Sequence, residues 1–170
     1  MYKIVLDTNI VVDYLMGRGT ACSDCKQLIL AHEAGRHAVY VSALSLKDAF
    51  FLVSMQLKRM ERRATGDLSD AMAKAAKDVA WACVQQLVDC LLVVPVGRGE
   101  SFRALAYRSV HDDFEDDLIV AAALHAGADY LVTNDETLLK HAPIACLSSA
   151  DMLAMLEAEQ LAGMNGTTGT

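Results

Sequence analysis

The sequence predicts an α/β protein, an α/β/α sandwich around a mostly parallel sheet of four or five strands. Two observations predict it. Short apolar runs at residues 2–6, 38–41, 91–95 and 130–132 alternate with longer segments of helical spacing. Apart from Lys3 the runs are continuously apolar, as in strands covered on both faces. The length of 170 residues, of which 54% are hydrophobic, suits one such domain with a well-filled core. It is expected over residues 1–157. Residues 158–170 should hold the end of the last helix and a flexible Gly- and Thr-rich tail.

Tyr2 to Leu6 is β-rich and ends at Asp7, which reads as a first, buried strand. Residues 10–16 form a short helix stopped by Gly17 and Gly19. Residues 22–34 form a second helix, stopped by Gly35. The strand at 38–41 leads to Ser42 and Ser45, either of which can cap the next helix. That helix is apolar at Leu46, Ala49, Phe50, Leu52 and Val53, then basic at Lys58, Arg59, Arg62 and Arg63, which suits a helix carboxyl end. Thr65-Gly66-Asp67 breaks the chain before an Ala-rich helix over 69–87. After the third strand, residues 101–110 are helical. Residues 114–126 are strongly so and are stopped by Gly127. The fourth strand ends at Thr133-Asn134-Asp135. A fifth strand is expected at 144–147 and a last helix at 148–161.

Charge and composition exclude several classes. A net charge of -7 argues against nonspecific nucleic-acid binding through bulk positive charge. It does not argue against a carboxylate site whose charge a cation cancels. No apolar run reaches the ~18 residues of a membrane helix, and the amino terminus enters a strand directly with no signal sequence. Five cysteines, an odd number, then read as reduced thiols in a cytoplasm. Cys22 and Cys25 form a C-x-x-C with no second pair at zinc spacing, so they read as small buried residues of one helix face.

Four acids fall where open α/β sheets place their sites, outside the carboxyl ends of the strands. Asp7 follows the first strand and Asp135 the fourth. Asp116 lies in the first turn of the 114–126 helix, and Asp48 lies within the helix after the second strand. Clustered carboxylates repel one another unless a cation joins them, and hard oxygen ligands suit magnesium or manganese. Each acid also has an ordinary reading. Asp7 can cap the helix after it, Asp135 can cap a short helix over 136–141, and Asp116 sits in an acidic helix turn. Asp48 has no capping role and is either exposed or functional.

Four segments resemble the motifs of PIN-domain ribonucleases, in the family's order from Tyr2 to about Leu153. They are Val5-Leu6-Asp7-Thr8-Asn9-Ile10, Val41-Ser42-Ala43-Leu44-Ser45-Leu46-Lys47-Asp48, Asp113-Phe114-Glu115-Asp116 with Leu118 and Ile119 after it, and Leu131-Val132-Thr133-Asn134-Asp135. The resemblance implies an endoribonuclease dependent on one or two magnesium or manganese ions, many members being VapC-type toxins held inactive by an antitoxin. It implies Asp7, Asp48 and Asp116 as metal ligands and Asp135 as a fourth, supporting acid, with Thr8, Asn9 and Thr133 shaping the site. Asp116 keeps the family's spacing to Ile119, and Asp113 is the alternative, as a cap or supporting group. Asp48 departs from the family, which usually has Glu there.

Carboxylates that hold a metal cannot also hold anionic RNA, so separate cations are needed. Lys58, Arg59, Arg62 and Arg63 are candidates, as are Arg98, Arg103 and Arg108. No aromatic platform for stacking single-stranded bases is evident along the chain. A homodimer is expected, because the Ala-rich helices offer more apolar surface than one core hides. The expected partners are RNA and a cognate antitoxin, with no membrane. Two other classes are weighed. One is a protein-binding module of the same fold whose acids are remnants. The other is a haloacid-dehalogenase-type phosphatase, which wants D-x-D where this chain has Asp7-Thr8-Asn9.

Overall fold

In a computed structural model, which describes residues 1–165, the chain runs β1 (Lys3–Leu6), α1 (Thr8–Leu15), α2 (Gly19–Glu33), β2 (Ala38–Ser42), α3 (Ala43–Thr65), α4 (Asp70–Cys90), β3 (Leu92–Val94), α5 (Arg98–His111), α6 (Phe114–Ala126), β4 (Tyr130–Val132), α7 (Glu136–His141), β5 (Cys146–Leu147) and α8 (Ser149–Asn165). All neighbouring strands are parallel, in the order β3-β2-β1-β4-β5. Helices cover both faces of the sheet, so the expected α/β/α sandwich holds, with five strands.

The central strand shows why its sequence is apolar from Ile4 to Leu6. Ile4 and Leu6 face one core, with Ile10 and Val11 of α1, Leu28 of α2, Ala49 of α3 and Met152 of α8. Val5 faces the other core, with Ile119, Val120 and Ala123 of α6, Leu131 of β4 and Leu138 of α7. Successive side chains of a strand point to opposite faces, so a strand between two helical layers must be apolar at every position. Every residue of α6 from 117 to 123 is buried. Three of them are alanines, which let this helix lie close against its neighbours.

The elements that differ from expectation do so at their ends. α5 starts at Arg98 rather than 101 because the Glu100 carboxylate accepts the Gly97 N–H at 2.7 Å and holds the first turn. α2 begins at Gly19, immediately after the turn at Gly17. β3 and β5 are shorter than predicted, with three and two residues. α8 continues past 161 to Asn165, so residues 163–165, expected in the tail, are helical; residues 166–170 lie outside the described residues. Among the described residues no helix is long and apolar enough to cross a membrane.

Register sets the site. Leu6 pairs with Val41 on one side and Val132 on the other, so three strands end together. The chain leaves β1 for β2 on one side, and β4 lies on the other. That makes the β1–β4 boundary the topological switch point, where a crevice opens. The Asp7 N–H donates to the Val132 carbonyl at 2.9 Å and fixes the two strand exits together. Ser42 ends β2 and caps α3, accepting the Ser45 N–H at 2.9 Å. Its hydroxyl is fully buried and also meets that of Ser45. Ser42→Ala should therefore destabilise the fold by about 1–2 kcal/mol in urea unfolding, an N-cap loss in a buried setting.

Candidate active site

Asp7 is the N-cap of α1 and only 3% exposed. One carboxylate oxygen accepts the Thr8 N–H at 2.6 Å. The other accepts the Thr133 hydroxyl at 2.6 Å and the Asn9 amide at 2.7 Å. The capping role that the sequence offered for Asp7 is thus observed, and the same carboxylate also ties the β1 exit to Thr133 at the β4 exit. Asn9 also donates to the Thr133 hydroxyl oxygen at 3.1 Å and accepts the Asn134 N–H at 3.3 Å, so it joins the β1 exit to the β4 exit. Thr8 reaches sideways instead. Its hydroxyl meets that of Ser45 at 2.9 Å, linking the starts of α1 and α3 through a buried chain of hydroxyls that ends at Ser42.

The cleft beside Asp7 has a volume of about 300 Å³, and its wall includes Asp7, Asp116, Asp135, Glu115, Asp13 and Arg18. Three of the four acids predicted from sequence therefore share one cleft. Asp135 is the N-cap of α7, its Oδ1 accepting the N–H groups of Thr137 and Leu138. Asp116 stands in the first turn of α6. Asp113 caps that helix, accepting from Glu115 and Asp116, and does not line this cleft. Asp117 is buried and lines a neighbouring depression with Arg108 and Phe114.

Asp48 is not part of the cleft wall. It is 7% exposed; one oxygen pairs with the Lys47 ammonium, while the buried Oδ2 has no hydrogen-bond partner among the described residues. A buried carboxylate oxygen left without a donor carries a desolvation cost that a cation would offset. Among the described residues no three His, Cys, Asp or Glu groups surround a single point at metal-binding distances. The acids stand around the cleft as separate charges.

Their electrostatics are strained. Burial pushes the Asp116 carboxyl up to about 7, with Asp7, Asp113 and Asp135 adding repulsion. Burial also raises Asp7, against the opposing pull of its three donors. Glu115 is raised by partial burial and by the facing Asp48 carboxylate. Glu115, Asp13 and Arg18 are cleft residues that sequence reasoning did not single out. Glu115 was hidden in a run of acids, and Arg18 in the turn after α1, where a single arginine carries no pattern.

The predicted RNA-binding cations are not at the cleft. Lys58, Arg59, Arg62 and Arg63 follow Asp48 along α3 by roughly 15–22 Å at 1.5 Å per residue. Arg98 packs over the Phe102 ring at 5.2 Å, and Arg108 lines the depression behind Asp113; Arg103 lines neither. The cysteines are free thiols, and burial of Cys25 in the core pushes it up to about 12, the behaviour of a packing residue.

Comparison with known proteins places this architecture. The profile of the PIN domain family matches residues 3–137, most of the chain, and the protein belongs to that family. No curated protein matches it. Solved structures with similar chains include VapBC2 from Rickettsia felis bound to a DNA fragment from its promoter (16% identity, 86% of this chain and 98% of that one, TM-score 0.58). They also include FitAcB from Neisseria gonorrhoeae (18%, 86% and 97%, 0.59) and a toxin–antitoxin complex from Klebsiella pneumoniae (16%, 86% and 97%, 0.55). At these identities the likeness is one of fold.

The raised Asp116 carboxyl gives a pH dependence. The folded protein holds this proton at pH values where the unfolded chain, titrating near 3.8, has released it. The contribution of Asp116 to folded stability is therefore fully present below about pH 4 and is lost as pH rises to about 7. In metal-free buffer the loss of this contribution by itself lowers the melting temperature across that window. Asp116→Asn should flatten the fall, and added manganese should reverse it in the parent.

Proposed function

We propose that this protein is a metal-dependent endoribonuclease that hydrolyses RNA phosphodiester bonds, and that it is the toxin of a toxin–antitoxin pair. The observation that carries the reading is the set of oxygen donors around one cleft, together with the partnerless buried oxygen of Asp48. An all-carboxylate set suits magnesium or manganese. Asp7, Asp116 and Asp135 would hold the ion, with Asp48 completing the set from the neighbouring helix and Glu115 beside it. When bound, such an ion activates a water and neutralises charge at the phosphate.

The chain's own residues do the rest. Thr133 and Asn9 fix the Asp7 carboxylate by donating to it, so its orientation is set before any ligand arrives. Asp7 sits against the strand ends, where the backbone is paired and rigid. Arg18 pairs loosely with Asp13 at 3.8 Å and is half exposed, which leaves its guanidinium available to a phosphate at the cleft mouth. With opposite charges on one wall, the acids would hold the ion and Arg18 would pair with a phosphate of the substrate.

The partner reading is supported by similarity to a chain of a toxin–antitoxin complex and by an apolar groove between α3 and α4 lined by Leu57, Met60, Met72 and Val79. Three of those side chains are exposed large hydrophobics that an antitoxin segment would cover. Self-association to a homodimer is proposed on the same apolar surface, and cytoplasmic residence follows from the proposed RNA substrate.

Incubation of the purified protein with a mixed RNA pool and manganese tests the reading. Cleavage is expected, and Asp7→Asn should abolish it while the far-UV spectrum stays that of the parent. Asn9→Ala removes the donor that orients Asp7 without touching a proposed ligand. It should weaken manganese binding about 10- to 100-fold by calorimetry. A parent that neither binds manganese nor cuts RNA would instead be a protein-binding module of this fold.

A further inference from the structure

We propose that the outer face of the α3–α4 hairpin is a binding track for single-stranded RNA, stacking bases on Phe51 and Trp81 and pairing phosphates with Lys58 and Lys77. The inference rests on the nuclease reading for its substrate and extends it to a second surface.

The aromatic platform that is not evident along the chain is formed between the two helices of the hairpin, each of which contributes an exposed ring. Trp81 of α4 is 65% exposed and Phe51 of α3 is 60% exposed. Phe50 packs against Trp81 with ring centroids 5.1 Å apart, which braces the indole while leaving much of it in solvent. A depression of about 330 Å³ between the helices is lined by Phe50, Phe51, Met55, Lys58 and Lys77. Aromatic faces beside ammonium groups are the combination that holds single strands without reading their sequence. Every base has a face to stack, and every nucleotide a phosphate to pair.

The charge fits an anion. Residues 56–77 contain six Lys or Arg and three Asp or Glu, in a chain whose net charge is -7. The acidic excess lies elsewhere, some of it at the cleft, so the molecule offers RNA one repelling end and one attracting surface. The depression also lies on the helix that reaches the cleft. Leu52 lines the cleft, and Phe51 and Met55 lie three and seven positions after Asp48, the spacing of one helix face. Lys58 and Arg62 extend that face by roughly 15 and 21 Å from Asp48. The basic cluster that stands too far away to touch a phosphate in the cleft is thus placed to hold the strand leaving it. The Met60–Val79 groove on the other side of the hairpin is lined by no cation and is left for a protein partner.

Trp81 is the only tryptophan in the chain, so its emission reports this surface without any substitution. Titrating the parent in EDTA with a 12-nucleotide oligouridine should quench it, and a trinucleotide should do so far less. In anisotropy with the labelled 12-mer, Phe51→Ala and Trp81→Ala should each weaken binding about tenfold. Lys58→Ala with Lys77→Ala should lower the salt slope by about 0.7 for each phosphate left without its lysine. With manganese, the Phe51 variant should cut the 12-mer more slowly and the trinucleotide at the parental rate. Quenching without any cleavage supports the track and overturns the nuclease reading. Cleavage with unquenched Trp81 and parental 12-mer rates in the variants overturns the track and leaves the nuclease intact. Emission that shifts with protein concentration and ignores RNA shows the face buried between copies of the chain, and overturns it as well.

Discussion

The structure depends on burying one charged group, the Asp7 carboxylate, at the end of its central strand. The parallel sheet is held together at that point by Asp7 in two ways. Its backbone N–H bonds to β4, and its side chain takes the hydroxyl of Thr133 and the amide of Asn9. A carboxylate with three donors is tolerable in a protein interior, yet burial still raises its pKa, so the donors offset only part of the cost. The remainder is strain that a cation would relieve. Fold and site therefore compete for the same atoms, and the strand exits cannot move without disturbing the acid.

The helices arrange the other acids according to what each helix end can tolerate. Asp135 and Asp113 serve as caps and commit an oxygen to backbone N–H groups. Asp116 stands in the first turn of α6, where the helix dipole favours negative charge, but burial and four nearby carboxylates outweigh that benefit and lift it to about 7. Asp48 has no helix end to help it. Its neighbour Lys47 supplies one opposite charge, and the second oxygen stays without a partner. Asp48 stands outside the cleft wall, and Glu115 of α6, which lines it, feels its charge.

The α3–α4 hairpin carries a different kind of chemistry from the sheet edge. The edge gathers acids because strand ends and helix starts converge there. The hairpin gathers cations and exposed apolar rings, since its outer turns cover no core. The proposed nuclease reading needs this division, because an acidic protein acting on an acidic polymer must keep charges of opposite sign on separate surfaces.

The sequence by itself determined the order of strands and helices, because burial on both faces forces continuous apolar runs and because Gly17, Gly35, Gly66 and Gly127 mark the turns. It also determined which acids follow strands, and capping signals at Ser42, Asp7 and Asp135 were readable as local spacing. Tertiary structure alone decided which carboxylates share a cleft. That depends on register and strand order, which placed β4 beside β1 and left Asp48 on a neighbouring helix rather than in the wall. It alone brought Arg18 and Glu115 to the cleft, since one arginine after a turn and one acid in an acidic run leave no pattern to read. It set Phe50 against Trp81, a packing that local spacing cannot show because it is made between two helices. Residues near in sequence report their own element; a surface shared by two elements exists only once the chain has folded.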